Sequence, residues 1–375
     1  MRRALELAKK GIGFSSPNPA VGAVIVKGGR IVGEGWHKKA GSDHAEIVAI
    51  KNVMKNSGIV TVDLEPALFS NAALYVTLEP CSHDGRTPAC AKAIVAAGFK
   101  KVFVGMKDPF VKVNGRGIKY LKNHGVMVEV CKASSPLAKE IRAINQPFIK
   151  WASFGLPYVI AKAGMSLDGK IATGAGESKW ITSENARIDS RLLRGRYDAV
   201  LVGAGTVKSD NPELAAHGKY KNKKLLRIVL DNKLSLSTDS KVFRDESVFV
   251  ASSDLASEKN KEKYRKAGIE FKSFGKDKVS LKRLLVYLAK RKIQSVFIEG
   301  GSAVLGSFYD DSLKNRDLLD KVCFYLAPKI IGGTDSLAVF GGLGADKLSK
   351  LRNLEDVVFE MVGDDLRFEG VFNFY

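Results

Sequence analysis

Cysteine is scarce in this 375-residue chain, occurring only as Cys81, Cys90, Cys131 and Cys323. That excludes a scaffold held by disulfides and leaves free thiols or metal ligands, so a reducing cytoplasm is expected. Long apolar runs are absent as well. None approaches the ~20 residues that cross a bilayer, which excludes a helical membrane span. Residues 1–10 hold Arg2 and Arg3 with no long apolar core behind them, so they read as an amphipathic helix closed by Gly11 and not as a signal peptide. Internal repeats and low-complexity segments are also missing. Acidic residues are in deficit: 40 against 60 lysines and arginines, a formal net charge of +20. Such a balance favours phosphorylated or polyanionic partners and aids solubility. The basic clusters at 221–227, 259–266 and 282–292 read as solvated helix faces and loops. One phosphate needs only a few cations, so a small ligand does not account for the whole excess.

What is present is ordinary for a globular chain: 45% hydrophobic and 27% charged residues, with length enough for two or three domains. Strands and helices alternate early. Residues 21–26 and 31–36 are short apolar runs joined through Gly28-Gly29, a hairpin signal. Residues 45–55 place Ile47, Ile50 and Met54 at helical spacing. Strands are expected at 73–78, 101–106 and 126–130, and a helix at 88–97 with Pro88 in its first turn and Gly98 past its end. A seam at 133–157, marked by Pro136, Pro147 and Pro157, predicts a domain boundary near 146, giving domains 1–145 and 146–375. A second α/β series follows, with strands at 158–163, 198–203, 226–231, 247–252 and 295–299. Between them lies a helix at 280–292. Residues 322–327, 357–362 and 366–374 read as an antiparallel ending.

The chemistry concentrates in His44-Ala45-Glu46, Pro80-Cys81 and Cys90. One imidazole and two thiolates form a soft, tetrahedral shell that suits zinc and leaves one position for water. A helix start lowers a thiol's pKa, which favours Cys90 as thiolate. Glu46, two residues from His44, can stand beside the metal as proton carrier, because zinc brings water's pKa down to roughly 7. His-x-Glu followed by Pro-Cys-x-x-Cys is the zinc-deaminase pattern. Here residues 82–89 lengthen the cysteine spacing. A structural zinc site is the bland alternative, with His83 the one near candidate for a fourth ligand.

Taken together, Ser16-Pro17-Asn18-Pro19-Ala20-Val21-Gly22, Gly33-Glu34-Gly35-Trp36-His37, His44-Ala45-Glu46 and Leu78-Glu79-Pro80-Cys81-Ser82-His83-Asp84-Gly85-Arg86-Thr87-Pro88-Ala89-Cys90 resemble the bifunctional riboflavin-biosynthesis deaminase–reductase family, whose own form has the long cysteine spacing. The resemblance covers nearly the whole chain. It implies an α/β architecture: a three-layer cytidine-deaminase-like domain followed by a dihydrofolate-reductase-like domain. It implies zinc-dependent hydrolytic deamination of 2,5-diamino-6-ribosylamino-4(3H)-pyrimidinone 5′-phosphate, with Asn18, His37, His83 and Arg86 on that substrate. The family commonly forms homo-oligomers. Relative to it, this chain starts a few residues late.

In the second half, Ser183 is a plausible cap for a helix bearing Arg187, Arg191 and Arg194 on one face. That face is either solvated or a phosphate clamp. Gly203-Ala204-Gly205-Thr206 is a weak dinucleotide signal, lacking a third glycine. Ile298-Glu299-Gly300-Gly301-Ser302 reads as a strand, a glycine turn and a helix start suited to phosphate. By the same resemblance these segments form the reductase domain, which uses NADPH to reduce the ribosyl side chain to ribityl. It places NADPH on Gly164, Trp180, Thr206, Asp210, Gly301, Ser302, Ala303, Val304, Leu305, Gly306 and Ser307. Substrate falls to Lys162, Ser178, Arg194, Leu214, His217 and Glu299, with Lys162 as the catalytic group. His217 stands where the family usually has arginine, which weakens the expected grip on the substrate phosphate. Three readings compete with the leading one. They are a deaminase whose reductase is weakened or lost, a nucleic-acid base deaminase and a non-enzymatic zinc module. The second domain and the loop at 82–89 weigh against nucleic acid.

Overall fold

The computed structural model describes residues 1–58, 66–82, 89–111 and 113–372. They form two compact units that divide between Gly155 and Leu156, later than the seam expected near 146. The reason lies in Pro136 and Pro147. Each occupies the first turn of a helix, Pro136–Ile144 and Gln146–Phe154, where a missing N–H costs nothing. Ser135 caps the first of these by accepting the N–H of Ala138, and Ile141 packs into the first unit's core. Prolines that read as a linker are therefore helix starts.

The first unit is built on five strands: β1 (Gly22–Lys27), β2 (Arg30–Trp36), β3 (Ala72–Val76), β4 (Lys101–Val104) and β5 (Met127–Val130), in the order β2-β1-β3-β4-β5. The β1–β2 hairpin turns at Gly28 and Gly29, both with positive φ. That geometry needs no Cβ and matches the strand twist. β1 runs antiparallel to β2 and β3, while β3, β4 and β5 are parallel. Helices lie on both faces. A Cβ on Gly22 would sit 2.0 Å from the Ala4 carbonyl oxygen of helix Arg2–Lys9, and one on Gly35 would sit 2.3 Å from that of Ala45 in helix Ala45–Asn56. Three layers result, as expected.

The second unit carries β6 (Tyr158–Ser166), β7 (Lys170–Ala172), β8 (Ala199–Gly203), β9 (Leu226–Leu230), β10 (Val248–Ser252), β11 (Phe271–Ser273), β12 (Ser295–Ile298), β13 (Lys321–Ala327), β14 (Leu337–Ala338), β15 (Leu354–Val362) and β16 (Asp365–Phe372). Nine of these make one sheet in the order β11-β10-β9-β8-β12-β6-β13-β16-β15, and β7 pairs with β14. From β11 to β13 the strands are parallel; β16 and β15 close the sheet antiparallel. Every residue of β8, β10 and β12 is buried. Parallel strands covered on both faces read as continuous apolar runs for that reason. Helix Leu281–Lys290 is capped by Ser280 and buries Leu281, Leu284, Leu285 and Leu288. The parallel arrangement gathers the segments after β6, β8 and β12 at one edge, where ligands bind in such sheets. No helix among the described residues is long and apolar enough to cross a membrane.

Candidate active sites

In the first unit, His44 is the residue before helix Ala45–Asn56, in extended conformation. Its Nδ1 lies 3.2 Å from Cys90 Sγ and 3.7 Å from Cys81 Sγ. All three donor atoms fall within 4.8 Å of one another. Cys81 follows the extension of β3. Cys90 opens helix Cys90–Ala96 and donates its backbone N–H to Cys81 Sγ at 3.3 Å. The thiolate expected at Cys90 falls to Cys81 instead. The Cys90 thiol also bonds to Cys81, which holds Cys81 down at about 4 and pushes Cys90 up. The acceptor of two donors is the better thiolate, and the helix start supplies those donors to its neighbour. The hydrogen bond to Cys81 likewise raises His44. One nitrogen and two sulfurs, converging with a negative charge among them, fit zinc.

Glu46 lies in the first turn of the same helix, 3% exposed, and burial pushes its carboxyl up to about 7. A proton carrier near neutrality is what a hydrolytic step needs. His37 is 2% exposed. Its Nδ1 donates to the Asp43 carbonyl at 3.0 Å, so its Nε2 accepts from the Asn18 amide, also at 3.0 Å. Burial lowers its pKa from the ordinary histidine value, which disfavours the charged ring. The ring stands edge-on to that of His44, centroids 5.3 Å apart. Asn18 and His37 are thus brought beside the metal ligands. In this structure both His37 nitrogens are already bonded, and the ring anchors Asn18. His83 and Arg86 lie outside the described residues. Missed by sequence reasoning was Glu79, a buried carboxylate that accepts backbone N–H groups from residues 108–118. An acid set between apolar Leu78 and Pro80 was the available signal.

In the second unit, the register Ile298↔Ala161 sets the next residues, Glu299 and Lys162, side by side. Lys162 Nζ stands 4.0 Å from Glu299 Oε2. Arg194 grips the same carboxylate through Nε and through Nη2, the latter at 3.0 Å, and donates Nη1 to the Ala215 carbonyl at 2.8 Å. Burial pushes Glu299 up, but Arg194 and Lys162 outweigh it and hold the carboxyl below its ordinary value. Burial holds Lys162 down, opposed by Glu299.

The three arginines form no common clamp. Arg187 donates to the Thr182 carbonyl at 2.6 Å and stacks on Trp180, while Arg194 is spent on Glu299. Arg191 is exposed, and so is His217, whose pKa is lowered by burial and by Arg194 and Arg191. Leu214 is buried with φ 55, Ser178 and Trp180 are exposed, and Asp210 pairs with Lys179 at 3.3 Å.

Helices Ala204–Asp210 and Ser302–Lys314 start beside each other after β8 and β12. Val304 fills the space above Gly203 and Gly300. By contrast a Cβ on Gly205 would meet nothing, and one on Gly301 only Thr206 Oγ1 at 3.7 Å. Open space bordered by two helix starts fits the phosphates of a dinucleotide such as NADPH. Gly164 packs against Thr182. Of residues 301–307, Gly301 to Val304 form the helix start. Leu305 is in the core, Gly306 abuts Gly341, and Ser307 bonds the Ala303 carbonyl. Neither remaining cysteine has assigned chemistry: Cys323 is buried and Cys131 only half-buried.

The family model for the cytidine and deoxycytidylate deaminase zinc-binding region matches residues 1–106, and that for the RibD C-terminal domain matches residues 157–368. The riboflavin biosynthesis protein RibD of Bacillus amyloliquefaciens is 38% identical over 99% of this chain and 95% of its own length. That of Aquifex aeolicus is 36% identical over 98% and 96%. A solved Thermotoga maritima structure, described as a diaminohydroxyphosphoribosylaminopyrimidine deaminase/5-amino-6-(5-phosphoribosylamino)uracil reductase, superposes with TM-score 0.82 at 36% identity, covering 100% of this chain and 97% of that one. With both units matched in one run of sequence, the chain belongs to the RibD family of riboflavin-biosynthesis proteins.

Proposed function

We propose that this chain is a bifunctional riboflavin-biosynthesis enzyme. It deaminates the diaminopyrimidine ribotide by hydrolysis in its first unit and reduces the ribosyl side chain to ribityl in its second. The observation that carries this reading is that one chain holds both constellations: a His44–Cys81–Cys90 cluster beside Glu46, and a Lys162–Glu299 pair beside two glycine-led helix starts. Zinc on the first cluster supplies the Lewis acidity that makes water a nucleophile near neutral pH. Glu46 would carry the water's two protons in turn, the first to the ring nitrogen and the second to the departing amine. Asn18, anchored by His37, offers an amide to the base edge, and His83 and Arg86 complete the substrate contacts.

NADPH supplies the hydride for the sugar's C1. Gly164, Trp180, Thr206, Asp210 and residues 301–307 are its proposed cradle. Lys162 polarises the sugar, and Glu299, fixed by Arg194, holds the ammonium in place. Ser178, Leu214 and His217 line the substrate, with the Arg191 guanidinium and the His217 imidazole the exposed groups nearest its phosphate. A cytoplasmic location fits the four unpaired cysteines.

A homodimer is part of the same reading. β15 is an edge strand whose Val357, Val358, Phe359 and Met361 are exposed. Edges of this kind pair with another strand. Antiparallel self-pairing about Phe359 sets Glu360 against Val358 and Asp356 against Val362, so no carboxylate faces another.

The test supplies the ribotide to zinc-loaded protein and follows ammonia, then adds NADPH and follows its absorbance. Ammonia first and NADPH oxidation second are expected. Activity on tRNA or single-stranded DNA without ammonia from the ribotide would overturn the proposal. Ammonia without NADPH oxidation would leave a deaminase alone.

A further inference from the structure

Glu79 has no part in either reaction as described, yet its surroundings are unusually specific. Its side chain is 3% exposed. Oε2 accepts the backbone N–H groups of Asp108 at 3.2 Å and Gly115 at 2.9 Å; Oε1 accepts those of Gly117 at 2.9 Å and Ile118 at 3.1 Å. Gly117 and Ile118 belong to the first turn of helix Arg116–Asn123, whose N-cap is Gly115 and brings no capping side chain. First-turn N–H groups have no partner within their own helix. A carboxylate from a distant segment provides it here.

The contact is tight on the other side too. A Cβ on Gly117 would lie 1.9 Å from the Pro80 carbonyl oxygen. The start of that helix therefore abuts the peptide that leads directly into Cys81. The backbone N–H of Glu79 is itself fixed on the Met106 carbonyl at 3.0 Å. Cys81 is the sulfur that stands 3.7 Å from His44 Nδ1 and receives the Cys90 N–H.

We propose that Glu79 is a positioning residue for the metal centre: its carboxylate clamps the strand end that carries Cys81 and so sets that sulfur opposite His44 and Cys90. The inference rests on the zinc reading above. Residues that orient metal ligands in this way change metal affinity by roughly 10- to 100-fold when replaced. Glu79→Gln is the informative change. In either orientation its amide nitrogen faces two backbone N–H donors where an oxygen stood.

The experiment uses the full chain, stripped of metal. Cobalt(II) is titrated in and its thiolate charge-transfer and ligand-field bands are recorded, and zinc affinity is then measured against a chromophoric chelator. Glu79→Gln is expected to weaken zinc binding roughly 10- to 100-fold and to lower and shift the ligand-field band. Gly117→Ala, which pushes on Pro80 from the helix side, is expected to do the same. Asp108→Asn is the control. Asp108→Asn keeps the backbone hydrogen bond to Glu79 and the side-chain acceptor for Phe110 and removes only a carboxyl that Glu79 and Cys81 repel, so zinc affinity close to wild type is expected. Wild-type affinity and spectrum in Glu79→Gln overturn the proposal, even if that variant melts earlier. If Glu79→Gln and Gly117→Ala both fail to fold while Asp108→Asn folds, the clamp serves the fold and not the metal, which also overturns it. A wild-type chain that takes up no cobalt rejects the zinc reading itself.

Discussion

Lys162 and Glu299 approach to 4.0 Å, nitrogen to oxygen, at the adjoining ends of β6 and β12, and Arg194 grips the far side of the same carboxylate. Two cations share one anion, with little solvent. Of the two cations the ammonium gives up its proton more readily, because burial holds it below its ordinary value against the opposing pull of Glu299.

That balance fixes the sign of the reductase's pH response. Lys162 loses its proton as pH rises, so reduction of pre-deaminated substrate should fall at alkaline pH, with an inflection below the ordinary lysine value of about 10.4. Glu299→Gln removes the raising charge and should move the inflection lower still. A kcat/KM profile measured with NADPH checks both. A Glu299→Gln profile that overlies the wild type would remove the pair from the mechanism.

Glu46→Gln should cut deamination by about 10²- to 10⁴-fold, the usual contribution of a positioned proton carrier. NADPH oxidation with pre-deaminated substrate should persist unchanged. Loss of both activities in folded protein would contradict two separate sites.

These two sites were legible to different depths. His44, Cys81 and Cys90 are visible because each stands where the pattern changes, at a helix start or just past a strand. Lys162 and Glu299 were recognised one by one through resemblance; their contact depends on the register of strands far apart in the chain, which no local pattern encodes. The spacing of Arg187, Arg191 and Arg194 predicted a shared face correctly but not their partners: Thr182 and Trp180 take the first, Glu299 the last. β7, β11 and β14 are too short to show a period of two. Pro136 and Pro147 misled because proline marks a helix's first turn as readily as a linker.

His217 offers a gain-of-function test. It is exposed, and partial desolvation together with Arg194 and Arg191 lowers its pKa, which disfavours the charged form. His217→Arg should restore a charge-assisted bond to the substrate phosphate and lower the reductase KM roughly tenfold. Deaminase kinetics should not change. An unaltered KM would place the phosphate elsewhere.

Asp108 makes stability depend on pH. Burial pushes its carboxyl from 3.8 up to about 7. An acid raised in the folded state favours folding most below its unfolded pKa, and the benefit is lost as pH climbs to the folded value. Asp108→Asn should therefore stabilise the first unit by roughly 1–3 kcal/mol near pH 8 and by much less near pH 5. Thermal melts at the two pH values decide; equal shifts would mean Asp108 is ionised throughout.

Phe359→Lys should dissociate the proposed dimer, since two lysines would meet at its axis. Light scattering coupled to size exclusion reads the mass directly. A wild-type monomer, or a dimer unmoved by the substitution, would rule out pairing through β15.

The seating of helix Ala45–Asn56 has a wider consequence. At Gly33 and Gly35 a Cβ would run into Ala49 and Ala45 main-chain atoms at 2.6 Å and 2.3 Å. His44 and Glu46 thus ride on a bearing machined without clearance, with main chain pressed on main chain. A helix mounted that way has no travel in which to retune itself for a new amino-heterocycle. Any change of substrate in such a scaffold has to be written into the side chains around the helix, while the cutting edge stays where the two glycines put it.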